Sequence, residues 1–306
     1  MRPLIKAPCE TLQVEEGAVL AHLAEIDVLV TLAFTSAMGK AAGPRLKLVQ
    51  LPAAGLDRID RAALPAGVLL ANAYGHETAI AEFIMGAMLM LGRNVVRLDA
   101  DLRVGIWPAP WSPGKPRLPL AAELAGKTLG ILGYGHIGRA LARRAHAFDM
   151  EILAIRRDLS GGRDDLAGVG GPDRLDEVLA RADYLAITLS LNDSTRGLIG
   201  RRELALMKAS AFLVNVARAE IVDETALYDA LASGRLAGAA LDVWYRYPQD
   251  NSPTWPADRP FHELPNVLMT PHMSGSTQGT VQSRAALVAS NIDRIARGEK
   301  PLNLVR

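Results

Sequence analysis

Hydrophobic and polar positions along the chain form two repeating kinds of segment. Short apolar runs typical of buried strands alternate with stretches in which an apolar residue recurs every three or four positions, as in amphipathic helices. This alternation predicts a parallel sheet flanked by helices. In the first hundred residues a long helix is predicted over 78–96, and strands are predicted over 3–6, 27–32, 46–51 and 67–71.

The same alternation is clearer in the second part of the chain. Helices are predicted over 137–148, 175–182 and 224–233, and six strands over 128–132, 151–155, 184–188, 212–215, 238–241 and 267–270. Six such strands match a doubly wound nucleotide-binding sheet, the Rossmann fold.

The segments between and after these patterns suggest how the domains are organised. Residues 105–119 are too rich in proline for a regular helix, and we interpret them as a crossing between domains. A last helix, 277–296, has no sheet of its own to complete, and we expect it to return to the first domain. The predicted division is 1–98 for a substrate domain, 99–272 for a dinucleotide-binding domain and 273–306 for the returning segment.

Composition excludes several classes of protein. Of 306 residues 49% are hydrophobic, and 34 basic side chains balance 33 acidic ones, so nothing favours nucleic acid or an anionic membrane as a partner. Cys9 is the only cysteine, which rules out an internal disulfide and a cysteine metal cluster, and no metal site is predicted. The N-terminus lacks the apolar region of a signal peptide, and we expect a cytoplasmic protein.

Candidate chemistry starts at the sequence GYGHIG. It lies between an apolar strand and an amphipathic helix, the context in which GxGxxG binds a dinucleotide. The glycines allow a tight turn and close approach of a pyrophosphate, whose charge the helix N-terminus stabilises. The predicted cofactor-binding residues here are Gly133, Gly135, His136, Ile137 and Gly138.

The residues after the next strand bear on the choice of cofactor. An NAD site usually has an acidic residue there for the ribose 2′-hydroxyl, whereas this chain has Arg156 and Arg157, followed by Asp158. Paired guanidinium groups would bind a 2′-phosphate, so the sequence favours NADP, with NAD as the alternative. In that alternative both arginines are solvated and Asp158 binds the ribose.

Further candidates come from the ends of the predicted strands, where open α/β sheets bind their ligands. The residues placed there are Leu189, Ser190, Val216, Ala217, Arg218, Asp242, His272 and Ser274. Asp242 ends an apolar strand, where a charge needs a partner. His272 follows the last strand and faces the same edge, so we predict that it is catalytic.

These residues resemble the D-isomer-specific 2-hydroxyacid dehydrogenase family, which includes formate and glycerate dehydrogenases. The resemblance covers nearly the whole chain and implies a Rossmann domain inserted in a flavodoxin-like substrate domain, working as a homodimer. The motifs that carry it, in order, are LKLVQLPAAGLDRID (46–60), TAIAEFIMGAML (78–89), LAGKTLGILGYGHIGRAL (124–141), STRGLI (194–199), LVNVARAEIVDETAL (213–227), GAALDVW (238–244) and TPHMSG (270–275).

The resemblance also implies roles for individual residues. Arg218 looks like the arginine that binds the substrate carboxylate and polarises its carbonyl. His272 resembles the general acid and base of the reaction. The backbone amides of Ala54 and Gly55 resemble the cradle for the substrate carboxylate, and Asp242 resembles the carboxylate on the nicotinamide side.

Three positions depart from the family pattern. Tyr247 stands where most members have a glutamate that pairs with the catalytic histidine and raises its pKa. A tyrosine hydroxyl can orient the imidazole but does not stabilise its cation in that way. His76 stands where an asparagine is common and either faces the substrate or caps the helix. Ser190 replaces a proline, which would slightly reshape the cofactor loop.

Three functional hypotheses follow. The first is an NADP-preferring dehydrogenase that reduces a small 2-oxo acid such as glyoxylate or hydroxypyruvate. The second, motivated by Tyr247, is an enzyme for formate or another atypical acid, because formate oxidation needs no proton acceptor. The third is a dinucleotide-sensing protein that has lost turnover, against which the presence of both Arg218 and His272 argues.

Overall fold

The computed structural model describes residues 2–108, 120–160 and 164–305, and the chain divides into two compact units. Unit 1 consists of Met1–His76 and Ser276–Arg306, and unit 2 of Glu77–Gly275. The segment after Ser276 therefore belongs with the first part of the chain. The first boundary lies after His76 rather than near residue 98, because the helix that follows packs within unit 2. Most of the predicted crossing, residues 109–119, lies outside the described residues.

The described residues form ten strands and eight α-helices, numbered here in chain order. The strands are β1 (Val28–Val30), β2 (Leu48–Gln50), β3 (Leu69–Ala71), β4 (Thr128–Leu132), β5 (Glu151–Ile155), β6 (Gly168–Gly170), β7 (Tyr184–Ile187), β8 (Phe212–Asn215), β9 (Gly238–Leu241) and β10 (Val267–Met269). The helices are α1 (Ser36–Ala41), α2 (Glu77–Gly92), α3 (Val95–Arg103), α4 (His136–His146), α5 (Leu175–Arg181), α6 (Arg201–Leu206), α7 (Glu224–Ala232) and α8 (Gln278–Ala296).

Unit 1 is built on a short parallel sheet in the order β1-β2-β3. Helix α8 is fastened to this sheet by Asn291, a fully buried side chain that donates to Gln50 Oε1 at 2.7 Å and to the Leu302 carbonyl at 3.0 Å. A buried amide needs such partners, since leaving it unpaired costs about 1–3 kcal/mol. These bonds fix both the returning helix and the last residues of the chain.

Unit 2 contains one sheet of seven parallel strands in the order β10-β9-β8-β7-β4-β5-β6. Strand order reverses between β4 and β7, and in open parallel sheets the ligand crevice lies at the carboxyl ends of the strands beside that point. Every residue of strands β4, β7 and β9 in this sheet is buried, as expected of a parallel sheet whose two faces are both covered by helices. The turn after β4, which carries the glycine motif, therefore stands at the switch point.

Three sequence predictions about these elements are wrong. Residues 3–6 form no strand: Arg2–Leu4 is a 3-10 turn, and the amides of Lys6 and Ala7 both donate to Asp293 Oδ1 at 2.9 Å instead of to a neighbouring strand. The predicted helix 78–96 is interrupted after Gly92 by Asn94, whose φ of 52° is left-handed. The nucleotide-binding sheet has a seventh strand, β6, whose sequence GVG is too short and glycine-rich to register as one.

Among the described residues no single helix is both long and apolar enough to cross a bilayer. Helices α2 and α3 meet that criterion only when taken together, and the chain bends by 60° between them.

Candidate functional site

The three glycines of the turn after β4 each meet a different spatial requirement. Gly133 has a φ of 106°, and a Cβ there would lie 2.8 Å from the Leu189 amide nitrogen. A Cβ on Gly138 would lie 2.5 Å from the Gly133 carbonyl oxygen, so this glycine lets α4 approach the strand. A Cβ on Gly135 would meet no atom of the described residues within 4 Å. Gly135 therefore borders open space, and the other two glycines border protein.

This geometry fits a dinucleotide pyrophosphate. A ligand that occupies the space beside Gly135 would approach the backbone where a side chain would otherwise stand. Helix α4 begins at His136, and its N-cap residue, Gly135, has no side chain to cap it. The first amides of a helix have no acceptor within that helix. A phosphate placed there would gain those donors and the favourable end of the helix dipole.

Thr188 holds the same turn from the neighbouring strand. Its hydroxyl donates to the Gly133 carbonyl at 2.7 Å and lies 3.2 Å from the Leu132 carbonyl. The following loop contains the predicted residues Leu189 and Ser190. In it the Ser190 carbonyl accepts the Thr195 hydroxyl at 2.8 Å, so hydrogen bonds shape the loop where the family has a proline.

The loop after β5 carries the residues predicted to select the cofactor. Arg156 is half-buried and donates to the Leu159 carbonyl at 3.3 Å, whereas Arg157 is exposed. The hydroxyl and backbone amide of Ser160 bond to Asp158 and lower the pKa of its carboxyl group. Asp158 thus serves the turn of its own loop, and the cation of Arg156 also lowers the pKa of its carboxyl group.

Asp242 is fully buried at the end of β9, and its carboxylate organises the loop after β10. Oδ1 accepts the Thr270 hydroxyl at 2.6 Å and the Met273 amide at 2.8 Å, and Oδ2 accepts the Ser274 amide at 2.8 Å. The partner that the sequence required for this buried charge is therefore the TPHMSG loop itself. Every one of these bonds is charge-assisted, which makes them stronger than neutral ones.

The loop held by Asp242 presents His272, whose φ of 58° is left-handed. Trp244, nearly buried, donates its indole N–H to the Thr270 carbonyl at 2.8 Å and closes the other side of the loop. A left-handed conformation is uncommon outside glycine, and it persists only when the surroundings determine it. The bonds on both flanks supply that determination, so the imidazole is presented in one orientation.

Tyr247 provides the side-chain contact of the imidazole. Its Oη lies 2.9 Å from His272 Nδ1 and 3.3 Å from the amide nitrogen of Trp244. The Trp244 N–H can only donate, so Oη accepts it, and the hydroxyl can still donate to an unprotonated Nδ1 or accept from a protonated one. In either case the hydroxyl orients the ring, and being neutral it does not stabilise the imidazolium as a carboxylate would.

Burial and two nearby charges act on the pKa of His272. Surrounding protein atoms desolvate the imidazole, although the residue keeps exposed surface, and this lowers the pKa of His272 below its ordinary value. The nearby cation of Arg218 lowers that pKa further, and the carboxylate of Asp242 opposes both effects. No carboxylate takes the place of Tyr247 within the described residues near the ring.

Arg218 is positioned by a residue that the sequence reasoning missed. Asn215, buried at the end of β8, donates to the Arg218 carbonyl at 3.0 Å and accepts the Ala217 amide at 3.0 Å. These bonds shape the backbone from the buried Val216 to the half-buried Arg218. Burial raises the pKa of Tyr247 and the cation of Arg218 opposes this effect, so Arg218, Tyr247 and His272 form one electrostatic cluster in unit 2.

The remaining predicted residues, Ala54, Gly55 and His76, lie in unit 1. Ala54 and Gly55 form part of the turn after β2, and both are half-buried. His76 is buried directly before α2. The candidates for catalysis and cofactor binding thus lie in unit 2, together with Arg218, and the other candidates for substrate binding lie in unit 1.

This chain is similar to a known protein family in sequence and to solved proteins in structure. A model of the D-isomer specific 2-hydroxyacid dehydrogenase NAD binding domain matches residues 85–274. Glyoxylate reductase of Thermococcus litoralis is 36% identical over 294 residues, which are 94% of this chain and 86% of that protein. A solved glyoxylate reductase from Paecilomyes thermophila has a TM-score of 0.80 and 29% identity, covering 94% of this chain and 88% of that one.

One further relative differs in length. D-3-phosphoglycerate dehydrogenase of Methanocaldococcus jannaschii is 36% identical over 263 residues, which are 85% of this chain. Those residues make up 48% of the archaeal protein, so the chain spans about half the length of that relative.

Two glycine substitutions separate binding from folding at this site. We expect Gly135→Ala to leave the thermal unfolding temperature nearly unchanged, because its Cβ meets no atom of the described residues within 4 Å. The same variant should bind NADPH about tenfold or more weakly, because the Cβ occupies the space assigned to the pyrophosphate. Gly138→Ala should lower both the unfolding temperature and the affinity for NADPH, because its Cβ collides with the Gly133 carbonyl. Fluorescence titration with NADPH and thermal unfolding check this. Equal effects of both variants on stability would contradict the assignment of the open space.

Proposed function

Because the chain belongs to the D-isomer specific 2-hydroxyacid dehydrogenase family and is an oxidoreductase of 2-hydroxy acids, we propose that it uses NADPH to reduce a small 2-oxo acid of the glyoxylate or hydroxypyruvate type. The observation that carries this proposal is the cluster of Arg218 with His272 at the carboxyl edge of the nucleotide-binding sheet. A guanidinium beside a titratable imidazole is the pair of groups that a 2-oxo acid requires.

The two residues divide the work on the substrate. The planar guanidinium of Arg218 suits a carboxylate and also withdraws charge from the neighbouring carbonyl oxygen. When bound, the nicotinamide supplies the hydride. His272 delivers the proton that the carbonyl oxygen needs as the alcohol forms, and takes it back in the reverse reaction. Asp242 and Tyr247 keep the imidazole in place, and Asn215 shapes the segment that carries Arg218.

The preference for NADPH rests on the loop after β5. Two guanidinium groups stand there, and the one acidic side chain between them and Ser160 is engaged with Ser160. A 2′-phosphate would find two cationic side chains in this loop, whereas a ribose 2′-hydroxyl would find one carboxylate, Asp158, which already accepts the Ser160 amide. Arg156 and Arg157 are therefore the residues that we assign to this phosphate.

Removing one guanidinium tests the cofactor assignment. Arg157→Ala should raise KM for NADPH about tenfold or more and leave KM for NADH unchanged, because only NADPH carries the extra phosphate. Arg201→Ala is the matched control. Arg201 is an exposed arginine at the start of α6 in the same unit, and its guanidinium group pairs with Asp229. A wild-type KM that is lower for NADH than for NADPH would refute the preference.

The lowered pKa of His272 makes reduction favour acidic pH. Protonated His272 is the proton donor, so kcat/KM for reduction should be highest below its pKa and fall as the pH rises through a midpoint under 6.5. Tyr247→Glu should move that midpoint up by about one unit or more, because a carboxylate stabilises the imidazolium. Tyr247→Phe is the control, because it removes the hydroxyl without adding a charge, and it should move the midpoint less than Tyr247→Glu does. The same midpoint in all three proteins would mean that Tyr247 does not set the pKa of His272.

A second candidate substrate is formate or another acid whose oxidation releases no proton. Tyr247 favours it, because a neutral hydroxyl in place of a carboxylate is compatible with chemistry that needs no proton transfer. Hydride leaves formate with the bonding pair, and carbon dioxide is released. A screen of 2-oxo acids with NADPH and of formate with NADP separates the candidates. Tight cofactor binding without turnover of any acid would instead favour a sensor.

We also propose that two copies of the chain associate through the region of α3. None of the described residues of this helix is buried, and its apolar side chains Val96 and Leu102 are 55% and 50% exposed. The exposed apolar surface continues through Val104, Ile106 and Trp107. Several exposed apolar side chains in one segment are what an interface between subunits would cover.

A charge placed on α3 tests this association. We expect the double variant Val96→Asp with Leu102→Asp to be monomeric, because burying two carboxylates between apolar faces is unfavourable. Light scattering after size-exclusion chromatography measures the mass. The control is Leu12→Asp, since Leu12 is an exposed apolar residue, at 64%, that lies in unit 1. A wild-type protein that is already monomeric would refute the proposal.

A further inference from the structure

Two consecutive backbone amides in unit 1 have no acceptor within the described part of the chain. They belong to Ala54 and Gly55, in the turn that follows β2. Both residues are half-buried, and an N–H group in such a place is ordinarily paired. Adjacent unpaired amides form a concavity that binds anions.

The carbonyls on either side explain why these amides point together. The Ala53 carbonyl accepts the Ala73 amide at 3.0 Å, and the Ala54 carbonyl accepts the side-chain amide of Asn72 at 2.9 Å. Every described peptide bond is trans, and in a trans peptide the C=O and the next N–H point in opposite directions. With both carbonyls turned toward the chain after β3, the N–H groups of Ala54 and Gly55 are turned away from it.

Asn72 is itself held firmly. Its side chain is nearly buried, and its own amide donates to the Asn303 carbonyl at 3.2 Å, where the end of the chain runs beside β3. The backbone at Asn72 is therefore fixed without help from the side chain. The side-chain amide acts on one target only, the peptide between Ala54 and Gly55.

We propose that Asn72 is a positioning residue that aims the Gly55 amide at the carboxylate of the substrate. Without the bond from Asn72, the peptide between Ala54 and Gly55 can rotate, and the Gly55 N–H no longer stays parallel to that of Ala54. The proposal rests on the function proposed above, since it identifies the carboxylate of a 2-oxo acid as the anion. The proposal assigns an effect on KM for the 2-oxo acid to Asn72, a residue outside the turn that contains Ala54 and Gly55.

Two substitutions of Asn72 test this role. Asn72→Ala removes the donor, and Asn72→Asp keeps the size but presents an acceptor to the Ala54 carbonyl. The dissociation constant of oxamate, a non-reducible analogue of a 2-oxo acid, is measured with saturating NADPH by calorimetry. We expect it to rise about tenfold or more in both variants, together with KM for glyoxylate, because one charge-assisted bond is lost. The affinity for NADPH and kcat should change much less.

Asn291→Ala is the matched control for general destabilisation. Asn291 is a buried asparagine of the same unit that bonds to Gln50 and Leu302 and does not touch the turn. This variant should unfold at a lower temperature yet bind oxamate as the wild type does. A rise in the oxamate constant as large as in Asn72→Ala would mean that the effect is structural, and would overturn the proposal.

A second measurement decides the proposal independently of turnover. Acetate, a simple carboxylate, is titrated while the amide nitrogen and proton shifts of Ala54 and Gly55 are recorded by NMR. Both shifts should move in the wild type, and the Gly55 shift should stop responding in Asn72→Ala. An unchanged response in that variant overturns the role of Asn72. A wild type that responds to acetate but reduces no 2-oxo acid would instead refute the proposed function.

Discussion

The buried carboxylate of Asp242 is the interaction on which the rest of the candidate site depends. A charge without solvent contact at the end of a strand is tolerated only if donors surround it. Here the donors are the hydroxyl of Thr270 and the amides of Met273 and Ser274, which lie on both sides of His272. The need to satisfy one carboxylate therefore shapes the loop and presents the imidazole.

Two further buried amide side chains play a comparable part. Asn215 shapes the backbone that carries Arg218, and Asn72 holds the turn that contains Ala54. Both side chains are buried and take no part in the chemistry. Each donates to the backbone carbonyl of a residue that is expected to contact the substrate. Such bonds allow a loop to keep one shape without a regular ladder of hydrogen bonds. Within each unit, the positions of the candidate groups are thus set by polar contacts inside the protein.

Tyr247 changes the character of the acid–base group. A carboxylate on Nδ1 would hold the imidazole as a cation, whereas the hydroxyl, which also accepts the Trp244 amide, carries no charge that could do so. Burial lowers the pKa of His272, so the imidazole is neutral over a wider range of pH. With its proton on Nε2, the neutral ring would still donate a hydrogen bond to a substrate oxygen. Tyr247 in place of a glutamate therefore moves the acid–base balance of the site.

The sequence alone determined the class of fold, most element positions in unit 2 and the residue types of the site, because apolar periodicity and the GxGxxG spacing are local properties of the chain. It also raised the question of Tyr247. Only the tertiary structure decided the partners of Asp242, the contact between Tyr247 and His272, and the hydrogen bonds of Asn72 and Asn215. Those contacts join residues that are distant in the chain or depend on the direction of a single carbonyl. No periodic pattern records such a direction, because hydrogen-bond geometry is settled only when the strands and loops are packed together.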